Sequence, residues 1–148
     1  MENLTQFMKY AADFEQTYVD DDWSRLRQYF ADDAVYEVKS DAFGARLVGP
    51  DAIFKGIKKS LDGFDRKFEG RAIDVTKGPE IDGDALHADW AVTYTKTGKT
   101  PYVLRGHTDV RYRDGKIVHL VDSYDAAVNA DAAAWMQKNQ MVLDPSYV

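Results

Sequence analysis

The chain has 148 residues, of which 45% are hydrophobic, 13% aromatic and 30% charged, with a net charge of −6 and no cysteine. That length suits one domain with a sizeable core, and the missing cysteine excludes disulfides, thiol nucleophiles and cysteine metal sites. The acidic balance disfavours nucleic acid, no apolar run approaches the ~20 residues of a membrane span, and the opening MENLTQFMKY lacks the basic start and apolar stretch of a secretory signal; a cytoplasmic protein with neither kind of partner is expected.

Leu4, Phe7, Met8, Ala11, Phe14 and Tyr18 recur at spacings of three and four, which predicts a helix over 4–19. The run Asp20-Asp21-Asp22 reads as a turn in which Asp21 or Asp22 caps a second helix burying Trp23, Leu26 and Phe30. A metal site there is the weaker reading, since no second acidic cluster stands at ligand spacing. Asp32-Asp33 ends that helix, and Ala34–Val38 alternates as a strand. Asp-Ala-Phe-Gly at 41–44 reads as a turn, with Ala45–Val48 as a short return strand. Gly49-Pro50-Asp51 opens a third helix, whose stripe is Ile53, Phe54, Ile57 and Leu61. Four strands follow, Phe68–Val75, Ala85–Thr95, Tyr102–Tyr112 and Ile117–Tyr124, separated by Asp82-Gly83, Thr97-Gly98 and Arg113-Asp114-Gly115-Lys116. An Ala-rich helix over about 126–142 ends before Pro145.

Helices first and strands afterwards is an α+β pattern in one domain, 1–148. A long curled antiparallel sheet cannot bury one face alone. The three N-terminal helices are expected to cover its concave side, leaving a cone with an apolar pocket.

Strand residues alternate between faces. In Tyr102–Tyr112 the apolar set is Tyr102, Leu104, Gly106, Thr108, Val110 and Tyr112, which puts His107 outside. In Ala85–Thr95 alternation favours Leu86, Trp90 and Val92 inward, with His87 and Asp89 paired in solvent. In Ile117–Tyr124 it does not settle which set faces inward. If Leu120 and Tyr124 do, Asp122 is a carboxylate in an apolar lining, where desolvation raises its pKa and suits it to acid/base work.

The segment Asp21–Tyr36, the start Gly49-Pro50-Asp51-Ala52-Ile53, the hairpin Arg113–Val118 and the strand Val121-Asp122-Ser123-Tyr124-Asp125 together resemble the nuclear transport factor 2-like superfamily, in the same order along the chain. That resemblance implies a cone-shaped α+β barrel. The ketosteroid isomerase branch is disfavoured, because its tyrosine falls on Phe14, its base on Val38 and its second acid near Thr108. Limonene epoxide hydrolases and SnoaL-like polyketide cyclases are more similar. His87-Ala88-Asp89 stands where the hydrolases' Arg-x-Asp is expected, Asp122 matches their last-strand aspartate, and Tyr36 matches their first-strand tyrosine. Tyr18 resembles an active-site tyrosine of scytalone dehydratases. The resemblance thus turns His87 and Asp89 toward the pocket, against alternation.

The function expected is a small enzyme, without metal or organic cofactor, doing acid/base chemistry on an apolar polyketide, terpenoid or steroid-like molecule. Asp122 is the expected acid/base, His87 its partner and Asp89 the orienting carboxylate. Tyr18, Tyr36, Tyr124, Phe14, Val38 and Leu120 are the expected substrate-binding residues. A homodimer is expected through an outward face bearing Trp90, Val92 and Tyr94. The rival reading is a ligand-binding or dimerisation module of the same fold with no chemistry.

Overall fold

A computed structural model describes residues 2–40 and 43–148; Asp41 and Ala42 of the expected 41–44 turn lie outside the described residues. Helix α1 (Glu2–Asp20) is followed by a 3-10 helix (Trp23–Tyr29), strands β1 (Phe30–Lys39) and β2 (Ala45–Val48), and helix α2 (Pro50–Gly63). A short 3-10 turn (Asp65–Lys67) leads into β3 (Gly70–Asp82), β4 (Ala85–Thr95), β5 (Tyr102–Arg113) and β6 (Lys116–Tyr124), and α3 (Ala127–Asn139) follows. The six strands form one curved sheet in the order β2-β1-β6-β5-β4-β3, which is not closed into a barrel. It is also not wholly antiparallel: β1 runs parallel to β6, with Tyr36 beside Leu120 and Val38 beside Asp122.

The α+β architecture is as expected, with local differences. The second helix is a single 3-10 segment, and β1 begins at Phe30 instead of Ala34. Phe30 is drawn into the sheet opposite Ile117. There it packs edge-on against Tyr10 and Phe54, at 5.6 and 5.3 Å between ring centres. Asp22 occupies the position before that 3-10 helix but makes no capping hydrogen bond. The Asp run is instead tied by cations: Asp20 pairs with Arg25, and Asp21 with Lys58 and Arg66. Strand β3 starts later than Phe68 and continues past Val75 to Asp82. Gly78-Pro79 falls inside β3, which is an edge strand, where a proline costs no ladder bond and irregular register is tolerated.

The core lies between the sheet's inner face and the helices. Leu26, Phe30, Ile53 and Ile117 are almost fully buried in it. A second cluster joins Phe64, Phe68, Tyr94 and Tyr102 to Trp135 of α3 and Leu143. Beyond α3 the chain runs back as an extended tail along α2. The Asp144 amide donates to the Gly63 carbonyl at 3.0 Å, and the Ser60 hydroxyl to the Pro145 carbonyl at 2.8 Å. Gly63 permits this approach, because a Cβ there would run into the Asp144 carbonyl.

Two further contacts fix the sheet. The 3-10 turn after α2 places Asp65 between Arg71 of β3 and Tyr94 of β4. Arg71 Nε donates to Asp65 at 3.0 Å, and the Tyr94 hydroxyl does so at 2.9 Å. Arg71 also holds Glu15 of α1 at 2.6 Å, so one guanidinium ties helix, turn and strand. The second contact is between β4 and β5, where Gly106 lies directly opposite Trp90. The indole crosses the glycine so closely that a Cβ would sit 2.6 Å from Trp90 Cζ2.

Removing a buried cation strands its carboxylates, at a cost of about 3–5 kcal/mol. The side chains of Arg71 and Asp65 are 10% and 12% exposed. Arg71→Ala should therefore lower stability by about 3 kcal/mol or more in urea unfolding, whereas Arg113→Ala, which breaks an exposed pair with Asp33, should leave the midpoint unchanged. Gly106→Ala should cost about 1–3 kcal/mol by overpacking, with a visible change in Trp fluorescence as the indole is pushed aside; an unchanged midpoint and spectrum would contradict this packing.

Candidate functional site

A cavity of about 550 Å³ lies between the inner face of the sheet, the helices and the tail. Its walls are mostly apolar: Phe7 and Phe14 from α1, Ile57 and Leu61 from α2, Ala132 and Met136 from α3. Helical spacing puts each pair on one face. From the sheet come Tyr36, Ala88, Trp90, Leu104, Leu120 and Tyr124. The tail adds Tyr147, whose ring centre is 5.8 Å from that of Tyr36.

The polar groups of one wall converge on Asp122. Thr108 of β5 is its direct cross-strand neighbour, and the Thr108 hydroxyl donates to Asp122 Oδ1 at 2.7 Å. The Tyr36 hydroxyl, from β1, donates to Oδ2 at 2.6 Å. Trp90 Nε1, carried over Gly106, donates to the Thr108 oxygen at 2.8 Å. That bond leaves Thr108 its proton for the carboxylate. Burial pushes the Asp122 carboxyl above the usual carboxylate range, and the two donated hydrogen bonds only partly oppose this. No cation bonds to Asp122 among the described residues. Burial likewise raises Tyr36 and Tyr124 well above an ordinary tyrosine and pushes Tyr147 up to about 12, so all three are hydroxyl donors at neutral pH. This arrangement can hold a carboxyl of raised pKa and present hydroxyls to a ligand oxygen.

Of the residues expected at the site, Asp122, Tyr36, Tyr124, Phe14 and Leu120 line the cavity. Tyr18 and Val38 do not. Tyr18 lies outside it, with Arg66 and Arg71 over its ring at 5.3 and 4.8 Å. Val38 is packed into the core, 3% exposed.

His87 and Asp89 are also displaced from the expected place. Ala88, Trp90 and Val92 take the inner face of β4, so alternation turns His87 and Asp89 to the outer face, where they meet His107. The expectation that they face the cone is thereby corrected. The outward patch of Trp90, Val92 and Tyr94 is corrected with it, and the argument that placed a homodimer there no longer has a surface to stand on. His87 is raised above an ordinary histidine chiefly by its bond to Asp109, and His107 by its bond to Asp89. Among the described residues, one group has ligand atoms close enough to hold a metal ion: His87, Asp89 and His107, all within 4.8 Å of one another.

Sequence reasoning missed the roles of Thr108, Trp90 and Tyr147. Alternation put Thr108 and Trp90 on the inner face. Their convergence on Asp122 needs the β5–β6 register, for which the sequence carries no marker. Tyr147 lies in a tail without periodicity.

No helix is long and apolar enough to cross a membrane, among the described residues. No curated protein matches the chain in sequence. Several solved structures share its fold. TerC, co-crystallised with polyporic acid, superposes with a TM-score of 0.68 at 17% identity, over 93% of this chain and 99% of that one. An epoxide hydrolase of M. tuberculosis, similar to limonene epoxide hydrolases, gives 0.60 at 16% identity, over 92% of each chain. A Xanthomonas campestris protein assigned as a polyketide cyclase gives 0.59 at 18% identity, over 90% of this chain and 98% of that one. At such identities these likenesses speak to the fold. The sequence itself matches the SnoaL-like domain over residues 11–120, and the chain belongs to that family.

Proposed function

We propose that the protein is an acid/base enzyme acting on a largely apolar small molecule bound in the cavity, with Asp122 as the proton-transfer group. The observation that carries this reading is the Asp122 carboxyl, half-buried among apolar side chains and held, among the described residues, by the neutral donors Tyr36 and Thr108 at 2.6 and 2.7 Å. A binding module needs polar anchors but has no use for a carboxyl whose pKa is raised. A carboxyl in this state sits closer to neutrality and exchanges protons with a carbon or oxygen acid more readily than a surface aspartate. The reaction class is isomerisation, cyclisation, dehydration or hydration.

Within the reading, Asp122 takes a proton from one substrate atom and returns it to another. Tyr36 and Thr108 fix the carboxylate's plane, and Trp90 fixes Thr108. The Tyr124 hydroxyl, which bonds to none of the described residues, is the donor available to a substrate oxygen. The chemical character of the cavity supports a polyketide, terpenoid or steroid-like substrate. Polyporic acid, the compound crystallised with TerC, is a reasonable first probe by thermal shift. His87 and Asp89 have no place in this scheme, since they stand behind the sheet.

Asp122→Asn keeps the shape of the side chain and removes the proton acceptor. Turnover of an identified substrate should fall by at least about a hundredfold, within the range of a general acid or base, while thermal-shift binding of the same compound persists. Wild-type turnover in this variant would remove the assignment. Loss of binding together with turnover would make Asp122 a binding group and remove its assignment as the proton-transfer group.

Stability against pH offers a check that needs no substrate. The raised pKa means that the native state holds the Asp122 proton more tightly than the unfolded chain does. Wild-type stability therefore falls as pH climbs from the ordinary carboxylate value through the raised one. Asp122→Asn lacks this slope. The difference in urea midpoint should move in the variant's favour between pH 4 and pH 7.5; a gap that is constant with pH would show that the carboxyl ionises as freely as in water.

A further inference from the structure

The outer face of the sheet carries a second cluster, separated from the cavity by the thickness of β4 and β5. In the register of those strands His87 lies opposite Asp109, and Asp89 lies opposite His107. Each histidine thus meets an aspartate across the ladder, and His87 and Asp89 also neighbour one another along β4. The contacts are short. His87 Nε2 and His107 Nδ1 both reach the same Asp89 oxygen at 2.7 Å. The remaining nitrogens point away from it: His87 Nδ1 to Asp109 at 2.7 Å, and His107 Nε2 to Asp125 at 3.0 Å.

We infer that His87, Asp89 and His107 form a binding site for a divalent transition-metal ion of the zinc type. Three observations carry this. First, the three ligand atoms already lie within 4.8 Å of one another. Around one ion, with bonds near 2.1 Å, such atoms stand roughly 3–3.5 Å apart, so the side chains need only small adjustments. Secondly, the two outer carboxylates do what outer-shell partners of metal-bound histidines do. Each lies within hydrogen-bond reach of the far nitrogen of an imidazole, where it can accept that N–H and fix the ring while the near nitrogen exchanges its own proton for the ion. Thirdly, the side chains are 39%, 24% and 33% exposed in the order His87, Asp89, His107, so an ion can enter from solvent. Two imidazoles and one carboxylate suit Zn2+, Co2+, Ni2+ or Cu2+. Ca2+ and Mg2+ require an all-oxygen shell that this cluster does not offer.

The site has a structural consequence. Asp89 precedes Trp90 in β4, and Thr108 follows His107 in β5. An ion joining Asp89 and His107 therefore clamps, from behind, the strand pair that presents Trp90 and Thr108 to Asp122. Strand alternation keeps the ion itself out of the cavity. The site is a staple of the sheet and takes no part in the proton transfer proposed above.

The test uses the untagged full-length chain, freed of metal with a chelator and titrated with ZnCl2 by calorimetry. The expected result is one equivalent bound and a raised melting temperature, as for any ligand that binds only the folded state. His87→Ala and His107→Ala should each weaken binding by more than about 100-fold, and Asp109→Asn by roughly 10-fold, as loss of an outer partner does. His119→Ala, at a histidine paired with Glu37 away from the cluster, should bind as wild type does. A measurement on unaltered protein guards against misfolded variants: in NMR spectra Zn2+ should shift the ring signals of His87 and His107 and leave those of His119 in place. Absence of saturable binding at millimolar Zn2+, stoichiometric binding that survives both histidine variants, or ring shifts confined to His119 would each overturn the proposal. None of these readouts depends on Asp122 or on turnover, so failure here and failure of the acid/base reading can be told apart.

Discussion

The placement of Trp90 over Gly106 is the contact on which the site's geometry rests. A side chain at position 106 would lift the indole off the sheet. With only hydrogen there, the ring lies flat enough for Nε1 to reach Thr108. Thr108 then spends its own proton on Asp122, and Tyr36 completes the pair of donors from a strand far away in the sequence. Hydrogen bonds from neutral donors thus run across β4, β5, β6 and β1 and meet at the Asp122 carboxyl on β6. The order of the strands matters as much as their side chains. The parallel pairing of β1 with β6 brings Tyr36 within reach of Asp122.

Two aspartates that line the cavity, Asp65 buried and Asp122 half-buried, receive opposite treatment. Asp65 is matched by the guanidinium of Arg71 as well as the Tyr94 hydroxyl. It serves the architecture, and it needs its cation, since an unmatched buried charge is strongly destabilising. Asp122 is given hydroxyl donors and no cation among the described residues. Without a cation beside it, burial holds its carboxyl above the usual carboxylate range. The same residue type is thus an ion-paired strut at one place and an uncompensated carboxyl at the other, according to its neighbours.

Much of this was legible in the sequence, and its limits are instructive. Strand β4 has the boundaries that alternation and turn residues give, and β5 and β6 differ by a residue or so, because these strands have one buried face and clear turns. For β3 the pattern fails: both faces are largely exposed at the edge of the sheet, so nothing selects apolar residues at every second position. Within β4, alternation and family likeness disagreed over His87 and Asp89, and alternation was right. The likeness aligned a motif by its spacing, whereas the hydrophobic demand of Leu86, Ala88, Trp90 and Val92 settled which way the strand faces. For Asp122 alternation left the facing open and the family likeness supplied it, and the residue does line the cavity. Its partners could not be placed, since strand order and register are properties of the assembled sheet.

The tail along α2 has a consequence for how this cavity can change. It is anchored largely through its backbone, at the Asp144 amide and the Pro145 carbonyl, while Tyr147 supplies cavity surface. Anchorage and lining are therefore separable. Substitutions at position 147 can reshape the chamber while the backbone anchors of the strap stay in place, and Tyr36, whose ring packs on Tyr147, is the sheet residue that feels them. A library confined to this segment would vary the shape of the chamber from one side, making the tail an exchangeable panel in an otherwise fixed room.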